Sequence, residues 1–338
     1  MRILIAGLGA IGQRHARNLR TICGDDLELL AYRRRGLRHV VTDRLAKDDS
    51  LDVEAALGIR AFARLDDALA LQPDAVFICT PSSQHLELAL RSVRAGAHLF
   101  IEKPLSHSLD GVRELAHEVR KRGRVVLVAS QWRFHPCVRA LRELVLSGAL
   151  GRLHEATFDS AEFLPDWHPY EDYRMSYAAR EVLGGGVVLT QIHDYDLACW
   201  LFGAPATVRA SGGRLSTLEI DVEDTVDAVL EGGTCPVRVR QTFAERAARR
   251  VITVRGDAAT ATADLLAARV ALEPPLAPMQ FFPDYQRNSM FLDEVVHFMH
   301  CLTLNAESAV PLSDGVLALR TALAVKRSLQ TGHVVDLG

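Results

Sequence analysis

Over the first 130 residues, short apolar runs alternate with segments of helical spacing. Residues 3–6, Ile-Leu-Ile-Ala, read as a buried strand, and residues 11–19 carry apolar positions at helical intervals. Residues 27–32 are apolar again, and residues 75–79, Ala-Val-Phe-Ile-Cys, form a β-rich run after Pro73-Asp74. Residues 84–95 are amphipathic, with Leu86, Ala89, Leu90 and Val93 on one face. A strand over 98–101, a helix over 109–122 and a strand over 125–128 complete the series. Strands separated by helices predict a parallel sheet with right-handed crossovers. The charged stretch 33–52 fits neither template well and predicts a loop with an irregular helix.

The second half has a different rhythm. Residues 153–158, 206–212, 225–230, 237–243 and 251–254 are strand-like and follow one another with few helices between them. That order predicts a mostly antiparallel sheet. Helices are predicted over 291–304 and 315–329. The fold class is therefore α/β. A dinucleotide-binding domain over 1–130 precedes a substrate-binding and assembly domain over 131–338, with the boundary near Gln131. If helices cover only one face of the second sheet, the other face is expected to meet a partner subunit, giving a homodimer or homotetramer.

Bulk properties narrow the function classes. A chain of 338 residues suits two domains, and 49% hydrophobic content can build a sizeable core. A net charge of −3 makes no electrostatic case for nucleic acid. No run reaches the ~20 apolar residues that span a bilayer, and the N-terminus reads as a strand rather than a signal peptide. The six cysteines form no Cys-x-x-Cys pair, which fits reduced thiols in a cytoplasmic protein.

Gly7-Leu8-Gly9-Ala10-Ile11-Gly12 is a G-x-G-x-x-G that follows a predicted strand and opens a predicted helix. Gly7 permits the tight turn, Gly9 lets backbone approach a pyrophosphate, and Gly12 lets helix and strand pack closely. The helix N-terminus, with Ala10 and Ile11, offers N–H groups to phosphate. About 20 residues on, an NAD site places a carboxylate for the ribose. Here Ala31-Tyr32 leads instead into Arg33-Arg34-Arg35. Guanidiniums suit a 2′-phosphate, so NADP(H) is the expected preference with NAD(H) as the alternative. A solvated basic loop would read the same way.

Glu102-Lys103-Pro104 follows another strand, at the sheet edge where ligands of such folds bind. Together with Thr80-Pro81-Ser82-Ser83-Gln84-His85 and the fingerprint, it resembles the glucose–fructose oxidoreductase / inositol dehydrogenase (Gfo/Idh/MocA) family. Gly184-Gly185-Gly186, His193-Asp194-Tyr195-Asp196 and Trp200-Leu201-Phe202-Gly203 continue the likeness. So does the end of the chain, from Gly315 through Ala322, Ser328 and Gly332 to Val335. The resemblance implies an N-terminal Rossmann domain and a C-terminal α/β domain with an open sheet whose outer face often mediates assembly. It implies hydride transfer between nicotinamide and a carbinol or carbonyl carbon, commonly of a sugar, sugar derivative or cyclitol. Thr80, Pro81, His85, Glu102 and Lys103 would then belong to the cofactor site, with Lys103 and His193 as the motif's catalytic pair.

The chemistry agrees. Taking hydride from a carbinol means removing the hydroxyl proton too. Imidazole titrates near about 6.5 and lysine near about 10.4, so His193 is the easier base and Lys103 the donor to the developing alkoxide. Relatives often carry an aspartate three or four residues before this histidine. Leu189 and Thr190 stand there instead, so Asp194 or Asp196 is expected to take over its orienting role. Arg133, in Gln131-Trp132-Arg133-Phe134, could contact cofactor or substrate, or pair with a structural carboxylate. The aromatic and polar stretch 164–174 offers Trp167, His168, Tyr173 and Arg174 to a sugar, alongside Lys103, Thr190, His193 and Asp194. An ordered loop covering the sheet or a subunit interface would read similarly. No spacing of metal ligands repeats. Two rivals share the fold: a non-catalytic nucleotide sensor, against which Lys103 and His193 together argue, and a redox-neutral NAD-dependent lyase or glycosidase.

Overall fold

A computed structural model describes every residue except 35, 37, 43, 44, 276 and 277. The alternating part comprises β1 (Arg2–Ala6), α1 (Ala10–Cys23), β2 (Glu28–Tyr32), β3 (Val40–Val41), β4 (Lys47–Asp48), α2 (Val53–Leu57) and β5 (Ile59–Phe62). It continues through α3 (Leu65–Leu69), β6 (Ala75–Ile78), α4 (His85–Arg94), β7 (His98–Ile101), α5 (Val112–Arg122) and β8 (Val126–Val128). Six of these strands form a sheet in the order β5-β2-β1-β6-β7-β8, every pair parallel. Ile3, Leu4, Ile5 and Ala6 are wholly buried, as are Val76, Phe77 and Ile78. Continuous rather than alternating burial means that both faces of the sheet are covered, as parallel sheets require.

Two expectations for this region need correction. Residues 33–52 contain no helix among the described residues; the β3–β4 ladder occupies the stretch. The helix starts later, at Val53, because Asp52 caps it by accepting from the amides of Glu54 and Ala55. The helix expected from 109 begins at Val112, since Gly111 is left-handed (φ 81°), which a helix cannot continue.

The chain then builds α6 (Pro136–Leu146), β9 (Leu153–Phe163), α7 (Val187–Thr190), α8 (His193–Phe202), β10 (Thr207–Gly213), β11 (Thr225–Glu231) and β12 (Val237–Thr242). After these come β13 (Ala244–Gly256), β14 (Thr260–Asp264), β15 (Arg269–Glu273), β16 (Gln280–Phe281), α9 (Arg287–Leu304), α10 (Leu312–Thr331) and β17 (Val335–Asp336). Nine strands pair in the order β16-β15-β14-β13-β9-β12-β11-β10-β17, with β9–β12 as the one parallel pair among them. Burial alternates along β11 and β14. Val226, Ala228 and Leu230 point into the core, while Asp227 and its partner Arg238 lie on the opposite, solvated face. Helix α8 is buried nearly all round, with Tyr195 and Phe202 among the largest enclosed side chains.

Two compact units result: residues 1–129, 168–172 and 291–316, and residues 130–167, 173–290 and 317–338. The helix expected at 291–304 therefore counts with the first unit rather than the second domain. Its Phe298 stands edge-on to both Phe77 and Phe100, which stack on each other at 4.4 Å. Burying a ring of this size stabilises by about 2 kcal/mol.

Candidate active site

The fingerprint turn lies in the first unit. Gly7 has φ 103°, and a Cβ there would stand 2.8 Å from the carbonyl oxygen of Cys79. A Cβ on Gly12 would stand 1.9 Å from the Gly7 carbonyl oxygen. Both are fixed by backbone on the protein side. Gly9 differs: it is exposed, and a Cβ there would meet nothing within 4 Å. Ala10 and Ile11 open α1, whose first turn carries no acidic residue to compete with an anion. The shape suits a pyrophosphate lying over Gly9 and the helix N-terminus. Gln13 braces the turn. Its amide donates to the carbonyls of Leu8 and His39, and its carbonyl accepts from the Val41 amide.

The basic run is not three equal cations. The Arg33 guanidinium is largely buried and lies 2.9 Å from Glu54. Arg34 is exposed, and Arg35 lies outside the described residues.

Thr80 and Pro81 follow β6, and Glu102 and Lys103 follow β7, so both loops leave the carboxyl edge of the parallel sheet. Thr80, Pro81 and Lys103 are half-buried. His85 and Glu102, expected as cofactor contacts, face inward instead. His85 is 1% exposed; its Nδ1 is 2.8 Å from the Pro104 carbonyl and its Nε2 2.7 Å from the Thr80 carbonyl. Burial pushes its pKa down, against the two carbonyls that favour the charged form, and the ring bridges both. It ties the loops together and presents no ring to a ligand. Glu102 lies 2.7 Å from Nε2 of the fully buried His15. Burial opposes ionisation of Glu102, but the His15 hydrogen bond and nearby positive charge outweigh it and hold the carboxyl below its usual range.

The second unit carries His193 as the first residue of α8, nearly buried, with the Gln131 side-chain nitrogen 3.4 Å from its Nε2. The two aspartates expected to orient it are committed elsewhere. Asp194 faces Arg250 at 3.0 Å and accepts from Gln241 at 2.8 Å. Asp196 accepts from Arg133 Nε at 2.9 Å and Nη2 at 2.5 Å, and from the Ser130 hydroxyl. Arg133 also lies over the Trp200 ring. Arg133 thus pairs with a structural carboxylate, because a buried guanidinium needs an anion beside it. Asp194 likewise holds Arg250 and is not open to a sugar. Thr190 is 1% exposed.

The stretch 164–174 divides. Trp167 meets Phe243 edge-on at 5.2 Å in the second unit. Tyr173 accepts from the Glu219 amide, and Arg174 pairs with the Glu219 carboxylate at 2.8 Å. His168 belongs to the first unit, 2.9 Å from Glu171, and its neighbour Tyr170 lies near His39. Among the described residues no three His, Cys, Asp or Glu side chains gather as a metal site.

Sequence reasoning missed His15, Arg250, Gln241 and Gln191, whose side-chain oxygen accepts from Arg250. Two left a trace. His15 stands four residues after Ile11 and four before Leu19, on the core face of α1. Arg250 shares the inward register of β13 with Ile252 and Val254.

Residues 1–130 match a family model described as an oxidoreductase family with an NAD-binding Rossmann fold, and residues 138–262 match the GFO/IDH/MocA C-terminal domain. The chain is 29% identical to myo-inositol 2-dehydrogenase of Thermotoga maritima, over all of this chain and 98% of that one. It is 28% identical to UDP-N-acetylglucosamine 3-dehydrogenase of Acidithiobacillus ferrooxidans, over 96% of this chain and 86% of that one. The crystal structure of the WlbA dehydrogenase from Bordetella pertussis, in complex with NADH and UDP-GlcNAcA, has the same fold. The TM-score is 0.81 at 22% identity, covering all of this chain and 99% of that one.

Proposed function

We propose, from the premise that the chain belongs to the Gfo/Idh/MocA family of NAD-binding oxidoreductases, that Lys103 and His193 serve hydride transfer at a carbinol or carbonyl carbon of a sugar, sugar derivative or cyclitol. The observation that carries this reading is the fingerprint turn, closed by backbone at Gly7 and Gly12 and open at Gly9. Bound nicotinamide supplies the hydride acceptor or donor. His193 takes the hydroxyl proton in the oxidising direction. Lys103 is the candidate donor to the developing alkoxide. Trp167, Tyr173 and Arg174 are the substrate-facing candidates of the second unit. Dehydrogenase relatives named for inositols and a nucleotide-linked sugar support that substrate class.

For the cofactor, exposed Arg34 is the candidate to favour a 2′-phosphate, since Arg33 is engaged by Glu54. An NADP(H) preference that survives Arg34→Ala in a fluorescence titration would sink that assignment. The second sheet's solvated face carries Asp159 between Arg240 and Arg249. That polar surface does not itself argue for assembly; the homodimer or homotetramer expected there is tested by light scattering at micromolar concentration. Six cysteines held as thiols, five of them buried, fit a cytoplasmic setting; oxidant-resistant folding without reductant would argue against it. No helix among the described residues is long and apolar enough to cross a membrane.

The deciding experiment follows NAD(P)H absorbance over a panel of cyclitols, sugars and nucleotide-linked sugars. On the substrate found, Lys103→Ala and His193→Ala should each lose about 10²–10⁴-fold in turnover while still binding cofactor. Their losses should not add, because the two act as a unit. Near-normal turnover in either variant would refute the pair. Tight cofactor retention without net turnover on any substrate would favour the redox-neutral reading.

A further inference from the structure

We propose that His15 and Glu102 form a positioning pair that fixes the backbone from which Lys103 projects. The inference rests on Lys103 being a proton-handling group.

The pair lies in an apolar setting. His15 is fully buried on α1, edge-on to Phe100 with ring centroids 4.8 Å apart and 5.6 Å from Phe77. Phe298 closes the same cluster against both phenylalanines. The ring therefore has one orientation. Its Nε2 is 2.7 Å from Glu102 Oε1, and its Nδ1 has no hydrogen-bond partner among the described residues. An ionised carboxylate has no proton to give, so Nε2–H donates. The other carboxylate oxygen, Oε2, accepts from the backbone amide of Lys103 at 3.2 Å. One chain of hydrogen bonds thus runs from the helix behind the dinucleotide turn, through Glu102, to the main chain of Lys103.

Stability alone does not explain this arrangement. An apolar residue at each position would complete the aromatic cluster without burying a charge, and such replacements are often neutral or stabilising. What an apolar pair would lack is the bond to the Lys103 amide, at the sheet edge where reacting groups must be held in register. His85 fastens the same loop from its other side through the Pro104 carbonyl. His15 and Glu102 secure Lys103 itself.

The test uses His15→Phe, His15→Gln and Glu102→Gln in the full chain. Three readouts are taken: kcat and KM, cofactor Kd by fluorescence, and hydrogen exchange of the peptide spanning 99–107. His15→Phe and Glu102→Gln should lower kcat about 10–100-fold, the penalty of a misplaced catalytic group, with KM and cofactor Kd little changed. Exchange protection should be lost at the Lys103 amide and retained in β1 and β6. His15→Gln, whose amide donates from about the same place as Nε2, should recover most of the turnover. The proposal is overturned if protection falls equally across the sheet, which marks a purely structural role. It is overturned too if kcat holds in His15→Phe while the Lys103 amide loosens. Failure of the underlying reading looks different: Lys103→Ala would then keep turnover, whatever the exchange at its amide.

Discussion

The two units hold their functional groups in opposite ways. In the first, the candidate ligand-facing surface is main chain: a turn whose glycines are closed at Gly7 and Gly12 and open at Gly9. The side chains around it, His15, His85, Gln13 and Glu102, point inward and fasten loops. In the second, the candidate base is a side chain on a buried helix, flanked by two buried ion pairs, Asp194–Arg250 and Asp196–Arg133. Shape made from backbone is damaged by adding atoms. A side chain held by buried charges is damaged by removing one partner. The units should therefore fail in different ways.

The largest effect is expected in the second unit. Arg250→Met keeps most of the volume over Trp132 but leaves the Asp194 carboxylate buried with the neutral Gln241 amide beside it. Losing one partner of such a pair costs about 3–5 kcal/mol. Urea unfolding followed by exchange protection of β13 should show that loss. The double variant Asp194→Leu/Arg250→Met should recover much of it, because no lone charge remains. If Arg250→Met instead unfolds normally and weakens cofactor binding alone, the contrast between the units collapses.

Acid offers a second way to sharpen the contrast. Burial pushes the pKa of His135, just before α6, down to about 4 from an ordinary value of 6.5. The unfolded chain therefore binds more protons than the folded one between those values. Stability from this group is complete above about pH 6.5, falls as pH drops towards about 4, and levels off below; the span is at most ~3 kcal/mol. His85 in the first unit has its pKa lowered as well, so wild type alone cannot separate the units. His135→Asn can still accept from the Cys137 amide, as the histidine does, and should flatten the pH dependence of second-unit exchange protection. An unchanged slope there would reject the assignment.

The same contrast governs what was legible in the sequence. Backbone-made features read out well because they need particular residues at fixed local spacing. The turn at Gly7–Gly12 and the continuously buried β1, β6 and β7 were all foreseeable from neighbours. Side-chain pairs did not read out, because they close over distance: His15 and Glu102 are 87 positions apart, and Asp194 and Arg250 are 56 apart. Asp194 read as a substrate contact simply because it stands beside His193. Arg33 and Arg34 are alike in the sequence, and what distinguishes them is Glu54, 21 positions from Arg33. The strand β5 and helix α3 escaped because four and five residues are too few to establish a period.

The smallest expected effect is the most discriminating, because it sets two glycines of one turn against each other. In Gly12→Ala the added methyl would lie 1.9 Å from the Gly7 carbonyl oxygen, so main chain must move. Overpacking of this kind costs about 1–3 kcal/mol. The variant should melt lower even without ligand and bind cofactor poorly as a consequence. In Gly9→Ala the methyl meets no protein atom within 4 Å, and the residue is extended at φ −71°, where alanine is unstrained. Its melting temperature without ligand should match wild type. Only cofactor affinity should fall, since the methyl occupies the space over the helix N-terminus where backbone must approach the pyrophosphate. Thermal melts of both variants with and without NAD(H), alongside fluorescence titration, separate the cases. If Gly9→Ala binds cofactor as wild type does, the open side of the turn is not where the pyrophosphate lies. The backbone-made site in the first unit would then have to be sought elsewhere along the sheet edge.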